Sequence, residues 1–150
     1  MKPMKTIIIT ISIFLFSISS NSQNSPKEII HQFFEEFENH GSRVALDNLY
    51  KPNKWMNRNA DVIEKLKTKV GGLNEEFVGK YYGYEFIVEK RLTDSYVLMC
   101  YLVKYERQPI RFTFEFYKPN QNWVIQGFKF DGNMDDEIEE AAKLYNFRLN

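Results

Sequence analysis

The spacing of apolar residues changes once along this chain, near residue 80, and that change decides the architecture. Before it, apolar side chains recur three and four residues apart. Ile29, Ile30, Phe33, Phe34 and Phe37 form one set, Val44, Ala45, Leu46 and Leu49 a second, and Val62, Ile63, Leu66 and Val70 a third. Such spacing places each set on one face of a helix. After it, apolar residues fall at every second position. Ile110, Phe112, Phe114 and Phe116 alternate with Arg111, Thr113 and Glu115, as a strand with one buried face requires.

Punctuation agrees with the spacing. Ser25-Pro26-Lys27-Glu28 reads as a helix start, with Ser25 as cap, Pro26 at the first helical position and Glu28 closing a capping box. Gly41 ends that helix, because glycine turns into positive φ without steric cost. Ser42 opens a second helix that Lys51-Pro52 stops, and a loop with Trp55 and Met56 follows. A third helix runs from Asn59 or Ala60 to Val70, ended by Gly71-Gly72, and Leu73 to Gly79 is a connector or a helical turn.

Four strands are expected next. In the first, Tyr82, Tyr84, Phe86 and Val88 share a face, and Glu85 and Glu89 lie on the other. From Tyr96 to Tyr105 both alternating sets are apolar, which suits a central strand covered on both sides. The third carries Ile110 to Phe116, and Pro119 to Asn122 turns into the fourth. There Trp123 and Ile125 are out of phase with Phe128 and Phe130, and Gly127 marks a bulge between them. Short turns between successive strands make an antiparallel meander, since parallel pairing needs long crossovers. A last helix, with Asp135, Asp136 and Glu137 at its N-terminus, is expected to bury Ile138, Ala141, Ala142 and Tyr145. Helices, a meander and a terminal helix give an α+β domain with helices packed on one face of the sheet.

The first residues carry Lys2 and Lys5 and no acid, then an apolar run from Thr6 to Ile18, then Ser20 and Ser22 two apart. This is the three-part pattern of a secretory signal over residues 1–22, cleaved near Ser22, and the run is short of the roughly 20 apolar residues of a membrane anchor. The mature chain, residues 23–150, is expected to be one exported domain, periplasmic or secreted, touching the membrane only through the transient signal. Its only cysteine, Cys100, permits no intramolecular disulfide, so the core alone must hold the domain together. Twenty basic and twenty acidic residues balance, and no basic stripe marks a nucleic-acid surface. The unusual quantity is the aromatic content, 16%, most of it in the strands.

The segments Tyr81-Tyr82-Gly83-Tyr84, Val103 to Ile110, Phe116-Tyr117-Lys118-Pro119 and Trp123-Val124-Ile125, following three helices, resemble exported bacterial members of the nuclear transport factor 2-like superfamily. The resemblance covers about Ser25 to Phe130. It implies a strongly curved sheet wrapped around the first helices as a cone-like roll with a pocket inside. Phe34, Phe37, Trp55, Tyr84, Phe112, Phe114 and Trp123 are then the candidate lining. Enzymes of that superfamily resembling ketosteroid isomerase, polyketide cyclases or scytalone dehydratase place an acid, or a His-Asp pair, in this pocket.

No such pair is evident in the residues. His40 sits at the negative end of the first helix, a structural place, and His31 lies near the edge of its apolar stripe. Glu85, Glu89 and Glu115 alternate with apolar residues and so face solvent, and Asp131 suits a turn. Cys100, in the most apolar strand, reads as a small buried hydrophobe. Two histidines of opposite phase make no zinc site, Gly71-Gly72 follows a helix where a phosphate loop would precede one, and the acids from Asp135 to Glu140 lack calcium-loop spacing. No catalytic residue, metal ligand or cofactor is assigned. Tyr81, Tyr82, Tyr101, Tyr105 and Tyr117 fit either an interface or packing beneath the helices.

The sequence favours a non-catalytic exported domain that binds a small apolar ligand or an envelope protein partner, with a homodimer through the sheet face as its assembly. A cofactor-independent isomerase, dehydratase or cyclase is the alternative, and it needs a buried carboxylate or histidine at the pocket floor. A structural module of an envelope complex is a third.

Overall fold

A computed structural model describes residues 25–148, and the signal expected over residues 1–22 lies outside them. Helix α1 spans Pro26–His40, and its capping box is in place. The Glu28 amide donates to Ser25 Oγ at 3.3 Å, and the Ser25 amide donates to Glu28 Oε2 at 2.5 Å. Gly41 turns the chain at φ +87°, and α2 (Ser42–Tyr50) returns beside α1. The Trp55-Met56 loop is a 3-10 turn, Lys54–Asn59, whose Trp55 amide donates to Asn53 Oδ1 at 3.2 Å. Helix α3 (Ala60–Gly71) and a single turn, α4 (Glu75–Val78), lead to the sheet.

The sheet is a four-stranded antiparallel meander in the order β1-β2-β3-β4, with β1 at Tyr81–Thr93, β2 at Tyr96–Tyr105, β3 at Pro109–Tyr117 and β4 at Val124–Asp131. It is curved and unclosed, and the helices pack against one face. That face carries Val97, Met99, Tyr101, Val103 and Tyr105 of β2 and Ile110, Phe112, Phe114 and Phe116 of β3. Phe33 of α1 meets Phe114 edge to face at 5.2 Å between ring centroids, and Phe34 stacks on Tyr84 at 3.7 Å. One hydrophobic core results, reaching from Ile30 through Leu46 and Val70 to Ile125. Each fully buried phenylalanine contributes about 1.5–3 kcal/mol of burial.

Bulges set the phase of the outer strands. In β4 the register slips by one residue opposite Glu115 and Phe116, so Ile125 pairs with Phe116 and Phe128 with Phe114. The residues on both sides of Gly127 thereby reach the same concave face, as the phase change in the sequence anticipates. β1 departs from its expected pattern. A slip between Phe86 and Val88 puts Val88 opposite Cys100 on the convex face and Glu89 opposite Met99 on the concave face. Glu89 there pairs with Arg91 at 2.6 Å and Lys27 at 3.6 Å. An alternation counted along the sequence cannot register an extra residue that has no glycine to announce it.

Two further expectations are corrected. Val62 of α3 is exposed, and the position toward the interior belongs instead to Lys67, whose side chain is only 8% exposed between Asp47 and Glu64. Helix α5 forms at Asp135–Arg148, but Ile138, Ala141, Ala142 and Tyr145 are all exposed. Its tie to the sheet is the Glu137 carboxylate, which accepts from Arg111 beside Asp131. Acids flank Ile138 on both sides, so burying that turn would bury charge as well. Among the described residues no helix is long and apolar enough to cross a membrane.

Candidate functional site

The seven aromatics expected to line a pocket go to different places. Phe34, Phe112 and Phe114 are fully buried and fill the space between α1 and the sheet, with Tyr84 stacked over Phe34. Trp55 is 70% exposed, with the Arg58 guanidinium over its ring, and Trp123 is half-buried beneath the Lys118 ammonium. Phe37 alone of the seven borders a described cavity.

That cavity, about 300 Å³, lies where three helix ends meet one end of the sheet. The α1–α2 corner contributes Phe37, Gly41 and Ser42, and the end of α3 contributes Val70 and Gly71. Leu73, Asn74 and Glu75 come from the connector, and Tyr81 and Tyr105 from paired positions of β1 and β2. Local chemistry fixes each wall. Gly79 turns into β1 at φ +80°, and a Cβ there would lie 2.7 Å from Glu106 Cβ. The corner is clamped to the β2–β3 turn, because the Arg107 amide donates to the Val78 carbonyl at 3.0 Å and the Glu106 amide to the Lys80 carbonyl at 2.9 Å. Asn74 caps α4 by accepting from the Phe77 amide at 3.0 Å, which fixes the connector across from Phe37.

Tyr81 and Tyr105 border this cavity with their hydroxyls buried. Their rings meet edge to face at 5.8 Å, and both hydroxyls are buried without a hydrogen-bond partner. Burial pushes the Tyr105 phenol up to about 12. Burial, then the nearby Glu38 carboxylate, raises Tyr81 as well. Both are therefore neutral donors at any physiological pH.

No family model, curated protein or solved structure matches this chain. The lining of the cavity is apolar at Phe37, Val70 and Leu73 and polar at Ser42 and Asn74. Glu75 is the acidic residue of the lining, and it is exposed. Cavities of this size and mixed lining take small molecules, with the apolar wall giving affinity and the polar groups orientation.

The other sequence candidates lie elsewhere. His31 is exposed, 3.6 Å from Glu35 one turn on, and His40 is exposed at the end of α1. Glu85 pairs with Lys104 at 2.8 Å on the convex face, and Glu115 accepts from the Tyr96 hydroxyl at 3.1 Å. Cys100 is buried 3.5 Å from Thr113 Oγ1. Among the described residues no group of three or more His, Cys, Asp or Glu side chains is placed to hold a metal.

The five-tyrosine set divides. Tyr81, Tyr101 and Tyr105 belong to the concave face, while Tyr82 and Tyr117 are exposed. Tyr81 and Tyr105 are the site residues that the aromatic lining set omits. The signal for Tyr105 was present, since it continues the phase of Tyr101 and Val103. The face of Tyr81 is reversed by the slip between Tyr81 and Tyr84, and Gly83, at φ +98° within it, was the mark that the alternation passed over.

Proposed function

We propose that this chain is an exported, non-catalytic domain of the nuclear transport factor 2-like kind that binds a small apolar ligand in the Phe37–Tyr81–Tyr105 cavity. The observation that carries the reading is a cavity of about 300 Å³ with an apolar wall at Phe37, Val70 and Leu73 and polar groups at Ser42 and Asn74. Export is supported by Lys2, Lys5 and the apolar run from Thr6 to Ile18. The superfamily assignment is supported by helices that precede the meander and pack in its curve. An isomerase or dehydratase would need a desolvated acid or base in the lining, and Glu75 is solvated.

Native mass spectrometry of the protein recovered from an expressing cell's envelope tests this, with Gly71→Met as the control. Gly71 lines the cavity, and a Cβ there meets only Ser42 Oγ at 3.9 Å, so the position has room for a side chain that occupies the space. The expected result is one small-molecule adduct per chain, absent from the variant. Equal adducts in both, or a bare mass in both, contradicts the proposal.

A further inference from the structure

Helix α3 and the 3-10 turn before it follow one another without a break, since Ala60 between them is already helical at φ −51°. Ile63, Leu66, Lys67 and Val70 turn toward the body of the domain. A second set, Trp55, Arg58, Val62, Lys65 and Lys69, recurs three and four residues apart. At 3.6 residues per turn that spacing keeps the five side chains in one stripe about 20 Å long. All five are exposed, Trp55 at 70% and Val62 at 64%. The Arg58 guanidinium lies 4.8 Å from the centre of the Trp55 ring, which ties the 3-10 turn into the stripe.

Positive charge is concentrated on this segment. Residues 51–69 hold six basic residues against two acids, a net charge of +4 in a chain whose twenty basic and twenty acidic residues balance. Glu64 is committed to Arg43 and Lys67. Among the described residues no ion pair engages Lys51, Lys54, Arg58, Lys65 or Lys69, and all five are exposed. An anionic partner is the complement of such a surface.

The apolar members of the stripe choose among anionic partners. A face that serves only solubility needs the cations and not an indole set among them. Tryptophan gains most at a boundary, with its ring out of water and its N–H within reach of it. An acidic peptide would satisfy the cations and leave Trp55 and Val62 in water. A bilayer surface takes both at once, with lipid phosphates at the charged heads and the indole at headgroup level.

We propose that the Trp55–Lys69 stripe docks the domain peripherally on an anionic bilayer surface. Trp55 and Val62 seat among the headgroups, and Arg58, Lys65 and Lys69, with Lys51 and Lys54 beside them, lie over the lipid phosphates. The stripe shares no residue with the lining of the Phe37–Tyr81–Tyr105 cavity, so either reading can fail without the other. It extends the meeting with the membrane beyond the signal over residues 1–22.

The test is cosedimentation of the protein as the cell produces it with vesicles of phosphatidylglycerol and, separately, of phosphatidylcholine. Phosphatidylglycerol is expected to bind at least about tenfold tighter, and added salt to weaken that binding. Tryptophan emission should shift to the blue on binding, and Trp55→Ala should abolish the shift and weaken the binding. The Lys65→Gln, Lys69→Gln double variant should lose about tenfold or more, since each cation near such a surface is worth about fivefold. Every altered position is exposed, and circular dichroism shows that the fold is kept. No binding, equal binding to the two lipids, or phosphatidylglycerol binding unchanged in either variant overturns the proposal. Binding to polyglutamate without binding to phosphatidylglycerol also overturns it, and assigns the stripe to an acidic protein partner.

Discussion

Tyr81 and Tyr105 face each other across the β1–β2 ladder with ring centroids 5.8 Å apart, and both hydroxyls are buried without a partner. A fold that serves only its own stability would place phenylalanine at both positions. The same rings without the oxygens would pack as well and leave nothing unsatisfied.

Removing one of those oxygens should therefore help the unliganded chain. Tyr105→Phe is expected to stabilise it by about 1 kcal/mol. Tyr96→Phe is the contrasting case, because the Tyr96 hydroxyl donates to Glu115 at 3.1 Å. That change should destabilise by about 1 kcal/mol. Urea unfolding of both variants beside the unaltered protein shows whether the signs differ.

Alkaline pH should unfold this protein through its tyrosines. Burial pushes Tyr50, Tyr101 and Tyr105 up to about 12 from an ordinary value of 10, with Glu115 adding to the rise at Tyr50 and Tyr84 and Glu89 at Tyr101. The unfolded chain releases these protons first, so the stability they carry is whole below pH 10 and is lost as pH rises toward 12. Each phenol kept protonated costs about 1.4 kcal/mol of stability per pH unit in that window. Tyrosinate absorbance should rise together with loss of helix by circular dichroism; smooth titration of a folded chain near pH 10 contradicts this account.

Gly79 should tolerate no side chain. Its φ of +80° strains an alanine, and the new Cβ would overlap Glu106 Cβ. Gly79→Ala is expected to cost about 2–4 kcal/mol, strain and overlap together. Gly41 also has a positive φ, +87°, but a Cβ there meets nothing within 4 Å. Gly41→Ala should cost only about 1 kcal/mol, and thermal unfolding of the two variants measures the difference.

Helix α5 should contribute little to stability. Its apolar residues are exposed, and its contact with the sheet is the ion pair of Arg111 with Glu137. A chain ending after Gly132 keeps the Arg111–Asp131 pair and is expected to lose no more than about 1 kcal/mol. A larger loss in chemical denaturation would show that α5 does pack on the domain.

The fold was legible in the sequence wherever the cause was local. The capping box at Ser25, the stop at Gly41 and the strand alternation of Ile110 to Phe116 depend on neighbours in the chain. The bulge in β4 was legible because Gly127 marks it. The slip in β1 after Phe86 had no such mark, and it carried Glu89 to the concave face. The site was harder for the same reason. Aromatic residues announce burial, but whether Phe112 fills the core or faces a void depends on how far α1 settles into the sheet. Here Phe33 and Phe34 close that space, and the cavity forms at the helix corners instead, where Gly41, Gly71 and Leu73 give no aromatic signal.

The most direct measurement is an amide-shift titration of the ¹⁵N-labelled protein with ethylbenzene, which probes the apolar wall of the cavity. The account predicts shifts clustered at Phe37, Ser42, Val70, Leu73, Tyr81 and Tyr105, and their disappearance in Gly71→Met. Shifts confined to the groove between α2 and α3, around Met56 and Ile63, or no shifts at all, would contradict it.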